Sequence, residues 1–180
     1  GFHPAMGEVM PVRRQLGVRT LFNLLGPLTN PAGAARQVMG IYSLDLVETV
    51  GQVLRQLGAR HALVVHGYDG LDEITTTGPT RVAEVRPEGV RTYDVDPVEL
   101  GVDRVAPEAL RGGDAVHNAG LMHAVLAGRE QALLDACCVN AGAALYVGGR
   151  AESIAVGVEA ARTAVLDGRA AAKLGEMVAD

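Results

Sequence analysis

The sequence predicts an α/β fold, a mostly parallel sheet flanked by helices and carrying one β-hairpin. Three observations predict it. The run Leu63-Val64-Val65, followed by His66 and Gly67, is apolar and contains β-branched residues, as suits a strand covered on both faces. A segment of helical period lies between that run and an earlier strand-like run at Gln37–Tyr42, which together make a β-α-β unit with parallel strands and a right-handed crossover. Finally, Thr80–Arg86 and Val90–Val95 alternate apolar and polar residues on either side of Pro87-Glu88-Gly89, the pattern of a hairpin.

In chain order, residues 8–18 carry apolar positions with Pro11 early, which predicts a helix over about 10–16 ended by Gly17. Arg19 to Gly26 predicts a second short helix, with Thr20 as N-cap and Gly26 as its stop. The loop from Pro27 to Ala32 is stiffened by Pro27 and Pro31. After the first strand, Ser43 is placed to cap a helix in which Leu46, Val47, Val50, Val53, Leu54 and Leu57 recur at helical spacing, and Gly58 ends it. Beyond the hairpin the chain reads as helical. Asp114 caps a helix to about Ala127, a long apolar helix covers roughly 130–147, Ser153 opens another that Gly168 closes, and a last helix follows Arg169. The length of 180 residues falls within the usual range for a single domain.

Composition narrows the function. The 180 residues are 48% hydrophobic and 21% charged, far from disorder. Sixteen Lys and Arg against 21 Asp and Glu give a net charge of −5, and only two Phe, four Tyr and no Trp are available for stacking on bases. Nucleic acid is therefore disfavoured as a main partner. Cys137 and Cys138 are neighbours within an apparent helix and fit neither a framework disulfide nor a zinc spacing, so they read as small buried hydrophobes of a reducing compartment. No run of 18 apolar residues and no signal peptide is visible, which leads to the expectation of a cytoplasmic protein without a membrane partner. The start at Gly1, without an initiator methionine, suggests a fragment.

The chemistry concentrates where the central strand ends. Asp69, Asp72 and Glu73 follow within five residues, beyond the strand's carboxyl end, where open α/β sheets place their ligands. Gathered carboxylates repel one another, and a small set of hard oxygen ligands suits magnesium bridging to a substrate's phosphates. The competing reading is acidic residues at the start of a helix, favoured by its dipole. Gly112-Gly113-Asp114 resembles a phosphate-binding glycine loop but lacks a preceding strand and a further glycine or lysine. It reads as a turn plus a helix cap.

Several blocks together resemble anthranilate phosphoribosyltransferases. They are Phe2-His3-Pro4-Ala5-Met6, Val12-Arg13-Arg14-Gln15-Leu16-Gly17-Val18-Arg19-Thr20, Phe22-Asn23-Leu24-Leu25-Gly26-Pro27-Leu28-Thr29-Asn30-Pro31-Ala32, and Val65 to Ile74, with Asn140 to Gly148 resembling the helical C-terminal region. The resemblance implies the nucleoside phosphorylase/phosphoribosyltransferase type of α/β domain, with 33–180 its C-terminal part, and a small helical domain that makes homodimers, with 1–32 contributing to it and to the substrate pocket. It also implies transfer of a phosphoribosyl group from phosphoribosyl pyrophosphate to anthranilate in tryptophan biosynthesis. It implies magnesium on Asp72 and Glu73, the anthranilate carboxylate on Arg13, and His3 and Pro27 lining that pocket. Gly7 stands where the family often carries a basic residue. The family's Gly-Thr-Gly-Gly-Asp loop does not occur in the chain, so the resemblance implies the C-terminal part of a longer enzyme, inactive alone. The alternatives are fold relatives without this activity, either a nucleic-acid-binding protein or a pyrimidine nucleoside phosphorylase.

Overall fold

The computed structural model describes Leu28 and residues 32–179. The chain divides into two compact units, Gly1–Ala35 and Arg36–Asp180. The helices expected at 10–16 and 19–26, and with them His3, Arg13 and Pro27, lie outside the described residues; Leu28, expected in a loop, has helical backbone.

The second unit is built on four strands, β1 (Arg36–Gly40), β2 (His61–Gly67), β3 (Thr80–Arg86) and β4 (Gly89–Val95), in the order β1-β2-β3-β4. β1 and β2 are parallel, with Val38 opposite Leu63 and Gly40 opposite Val65. The helix between them is α1 (Val47–Gln56), as the β-α-β pattern required. β3 runs antiparallel to β2, and β4 antiparallel to β3. Within the described residues the sheet is thus mixed, with one parallel and two antiparallel pairings. The cause lies in the connections. Residues 68–79 between β2 and β3 form turns and bends with no helix, so the chain has no crossover to carry it back to the other end of the sheet.

Side chains alternate across the sheet, and two helices take opposite faces. On α1, Gly51 faces Ala83 and Val85, and the buried Val47, Val50 and Leu54 pack on that side. The residues between them in β3 turn the other way, where Tyr146 donates to Glu84. That face is covered by α3 (Gln131–Val147), which follows α2 (Ala115–Leu126) and packs with α4 (Ile154–Leu166). Leu63, Val65, Ile74, Val82, Val139, Ala143 and Val158 form one cluster there, each at most 1% exposed. Each such large apolar side chain contributes roughly 1.5–3 kcal/mol on burial. α5 (Arg169–Ala179) closes the chain.

The expected helix punctuation holds from Asp114 onward. Asp114 accepts from the His117 N–H at 2.8 Å, and Ser153 Oγ from the Val156 N–H at 3.2 Å. Gly58, Gly128 and Gly168 have positive φ at the ends of their helices. Ser43 departs from expectation. It precedes a short 3-10 turn at Leu44–Leu46 without a side-chain capping bond, and the α-helix itself begins at Val47. The cysteines divide: Cys138 is buried as expected, whereas Cys137 is exposed, because successive helical residues point about 100° apart. No described helix is long and apolar enough to cross a membrane.

Candidate functional site

The segment between β2 and β3 is a network of turns held at several points. The Gly67 N–H donates to Leu71 O at 2.8 Å and the Gly70 N–H to Gly67 O at 2.9 Å, closing a tight loop in which Gly70 has φ 95°. Gly67 is needed for space rather than for angle. A Cβ there would lie 2.4 Å from Asp69 Oδ1 and 3.0 Å from Thr75 Cγ2. Farther along, the Tyr68 N–H donates to Pro79 O at 3.0 Å and the Val105 N–H to Thr76 O at 3.0 Å.

Asp69 is the internal lock of this loop. Its Oδ1 accepts from the Leu71 N–H at 3.1 Å, and its Oδ2 accepts from the hydroxyls of Thr75 and Thr77, each at 2.6 Å. Partial burial pushes the Asp69 carboxyl up, but the Thr75 and Thr77 hydroxyls and the Leu71 N–H outweigh it and hold the group below its ordinary value. A carboxylate so engaged is a poor ligand for anything else. The three acids therefore do not act as one set, a distinction that spacing alone does not reveal.

Asp72 and Glu73 are different. Both are exposed, and among the described residues neither makes a hydrogen bond or ion pair with a protein group. Partial desolvation raises the Glu73 carboxyl, and the negative charges of Asp72 and Asp69 raise it further. The Glu73 charge also helps to raise the Cys137 thiol, after burial. No helix follows the two acids, so the helix-dipole reading does not hold here: Thr75, Thr76, Thr77, Gly78 and Pro79 lead directly into β3. What remains is a pair of adjacent carboxylates, repelled by each other and, among the described residues, offset by no protein cation.

The pair sits at the carboxyl end of β2, beside the end of β1, in the position expected of an α/β ligand site. The backbone of Gly40 approaches so closely that a Cβ there would lie 1.5 Å from Asp72 O. The donor set suits magnesium, which takes one or two carboxylates and keeps its remaining positions for water and substrate phosphate. It does not suit an all-protein metal cage. Among the described residues no group of three or more His, Cys, Asp or Glu is gathered for one.

Asn140 completes the loop's anchoring from the far side. Its Oδ1 accepts from the Ile74 N–H at 3.0 Å, while its Nδ2 donates to Ile74 O at 2.9 Å and to Ala136 O at 3.0 Å. The residue next to Glu73 is thereby tied to α3. In the sequence, Asn140 opens the block that resembles the family's helical C-terminal region and stands as a polar break in an apolar helix. That break is the available signal, since an amide placed among apolar residues needs partners.

A second polar cluster lies at the opposite end of β2. Glu84 Oε1 accepts from Tyr146 Oη at 2.8 Å, from His61 Nε2 at 3.1 Å and from Arg86 Nε at 3.1 Å, and Oε2 accepts from Tyr93 Oη at 3.0 Å. Burial first, and the Arg86 charge second, lower the His61 pKa despite the facing Glu84. A carboxylate can only accept, so His61 Nε2–H is the donor in this contact.

Residues 1–171 match the family described as "Glycosyl transferase family, a/b domain". The anthranilate phosphoribosyltransferase of Rubrobacter xylanophilus is 52% identical over 177 residues, covering 98% of this chain and 52% of the relative. The crystal structure of anthranilate phosphoribosyltransferase from Thermus thermophilus is similar with a TM-score of 0.90 at 46% identity, covering 98% of this chain and 52% of that one. The enzyme from Saccharomyces cerevisiae in complex with PRPP and Mg is similar with a TM-score of 0.86 at 25% identity, covering 96% and 50%. The chain spans about half the length of the curated relatives it matches.

Proposed function

The chain belongs to the glycosyl transferase family through its a/b domain, and from that premise we propose that the whole protein transfers the phosphoribosyl group of phosphoribosyl pyrophosphate to the amine of anthranilate, with magnesium as cofactor. The relatives' names and the yeast complex with PRPP and Mg support this reading. The observation that carries it within this chain is the acid pair Asp72-Glu73, without a protein partner among the described residues and held in a tied loop at the carboxyl end of β2.

In the reaction the anthranilate nitrogen bonds to the anomeric carbon of the sugar while the carbon–oxygen bond to pyrophosphate breaks. The bonding electrons leave with the diphosphate, and the surplus amine proton passes to solvent. Asp72 and Glu73 would hold the magnesium, which when bound neutralises charge developing on the leaving diphosphate. The chain's own contribution is positional. It keeps two carboxylates adjacent, solvent-facing and free of competing cations among the described residues, so that they are ready before substrate arrives. The arylamine needs orientation more than deprotonation, so no general base is invoked.

Arg13 is proposed to clamp the anthranilate carboxylate through its guanidinium fork, with His3 and Pro27 lining the same pocket. Assembly as a homodimer through the small helical domain, residence in the cytoplasm, and a division of the chain into that domain and the α/β domain complete the proposal.

The test mixes the full-length protein with both substrates and magnesium and follows the loss of anthranilate fluorescence. Loss that requires phosphoribosyl pyrophosphate supports the reading; no loss under any metal condition contradicts it. Phosphate-dependent release of base from a nucleoside would replace it with a phosphorylase. Arg13→Ala is expected to raise the KM for anthranilate, and an unchanged value would remove the clamp.

A further inference from the structure

We infer that Asn140 is a positioning residue for the metal-holding acids, a role that rests on the proposed assignment of magnesium to Asp72 and Glu73. The geometry behind it is a two-sided tether. Upstream, the Leu71 backbone is fixed twice, by its carbonyl accepting from the Gly67 N–H and by its N–H donating to Asp69. Downstream, both polar atoms of the Ile74 backbone are taken by the one Asn140 amide. Only Asp72 and Glu73 lie between these two tied points.

The amide's orientation is not open to choice. A backbone N–H can only donate and a carbonyl can only accept, so Oδ1 must face Ile74 N and Nδ2 must face Ile74 O. The third bond, from Nδ2 to Ala136 O one turn back in α3, fixes the side chain against its own helix. Asn140 is therefore a rigid bracket between a packed helix and the loop. Val139, its neighbour in α3, is fully buried, so the bracket stands on a part of the helix that has little room to move.

An exposed pair of like charges would otherwise drift apart. Two carboxylates on a free loop gain by separating into solvent, and a metal would have to pull them together at its own cost in affinity. The bracket sets their backbone in advance. Partners that orient metal ligands from behind typically change metal affinity by about 10–100-fold when removed, and Asn140 is expected to fall at the lower end, about tenfold.

The experiment titrates Mn2+ as a paramagnetic probe, in the presence of pyrophosphate, into the full-length wild-type protein and three variants. Asn140→Leu keeps the side chain's approximate volume and deletes all three bonds. Asn140→Asp keeps the acceptor for Ile74 N–H but loses both donated bonds. Asp72→Asn with Glu73→Gln removes the charges. Expected results are weaker Mn2+ binding by about tenfold in Asn140→Leu, an intermediate loss in Asn140→Asp, and kcat at saturating metal within about threefold of wild type. Wild-type affinity in Asn140→Leu, beside lost binding in the double variant, overturns the positioning role and leaves the metal assignment standing. Wild-type binding that the double variant does not weaken overturns both.

Amide exchange on the wild-type protein supplies a readout independent of any variant's folding. The Ile74 N–H is expected to be protected without metal, as deeply as the amides of α3. Exchange as fast as an open loop, slowed only when Mn2+ and pyrophosphate are added, would show a loop organised by its ligand and overturn the inference.

Discussion

Gly40→Ala sets two magnitudes of opposite sign against each other at the edge of the acid pair. Gly40 ends β1, pairs with Val65 and has no positive φ, so alanine can adopt its backbone without strain. By propensity alone the substitution should stabilise the strand by about 0.5–1 kcal/mol. The structure opposes this, because the new Cβ would lie 1.5 Å from Asp72 O and 2.5 Å from Asp72 C. Ordinary contact begins near 3.4 Å, so the two backbones must part by about 2 Å. A flexible side chain could step aside, but this neighbour is main chain tied at Leu71 and Ile74. Overpacking costs about 1–3 kcal/mol, and a clash with main chain belongs at the upper end, about 3 kcal/mol, which leaves a net loss of about 2–2.5 kcal/mol after the strand gain. With a urea slope of about 1–3 kcal/mol per molar, the unfolding midpoint should fall by roughly 0.7–2.5 M. Urea denaturation followed by far-ultraviolet circular dichroism measures it. A midpoint equal to or above that of wild type would mean that β1 and the acid loop are not in contact as described.

Three further outcomes rest on the same geometry. Asp69→Ala frees the Leu71 N–H and the hydroxyls of Thr75 and Thr77, and should cost about 1–3 kcal/mol, allowing for solvent exposure, with faster amide exchange confined to residues 69–77; unchanged exchange there would deny Asp69 its locking role. Gly142→Ala should destabilise despite alanine's helical preference of about 1 kcal/mol, since its Cβ would lie 2.5 Å from Val158 N between α3 and α4, and a raised midpoint would count against that close crossing. Stability should decline as pH falls below 6.5, where the unfolded chain takes up a proton on His61 more readily than the folded chain, by at most about 1.4 kcal/mol per pH unit. A second decline should start below 4.5. Burial of Glu84 is outweighed there by hydrogen bonds from Tyr146, Tyr93 and Arg86, and the stability they lend is lost as pH falls through the lowered pKa. Urea midpoints measured from pH 7.5 to 4 that stay level would contradict both groups' assignments.

The features legible in the sequence are those with local causes. Asp114, Ser153 and the helix-ending glycines announce themselves because a cap is a contact between residues three or four apart. The buried character of Leu63 to His66 is likewise written in composition. The direction of β3 against β2 is not, because alternation in β3 is the same whichever way it pairs, and only the absence of a helix at 68–79 decides it. The site shows the same division. Asp72 and Glu73 stand out as neighbouring acids, yet nothing local separates them from Asp69, whose engagement depends on where Thr75 and Thr77 fold back. The Asn140 bracket and the Glu84 cluster join residues up to 66 positions apart, and such pairings exist only once the chain has packed.

The proposed chemistry depends on two adjacent carboxylates, left without protein partners among the described residues, holding a divalent ion against a departing diphosphate. Turnover of the full-length protein as a function of magnesium, wild type beside the Asp72→Asn, Glu73→Gln double variant, puts that dependence to the test. Magnesium-dependent turnover is expected in the first and at least a hundredfold loss in the second, scaled from a charge-stabilising contact worth about 2.7–4 kcal/mol in the transition state. Normal turnover by the double variant, with the same magnesium dependence, would contradict it.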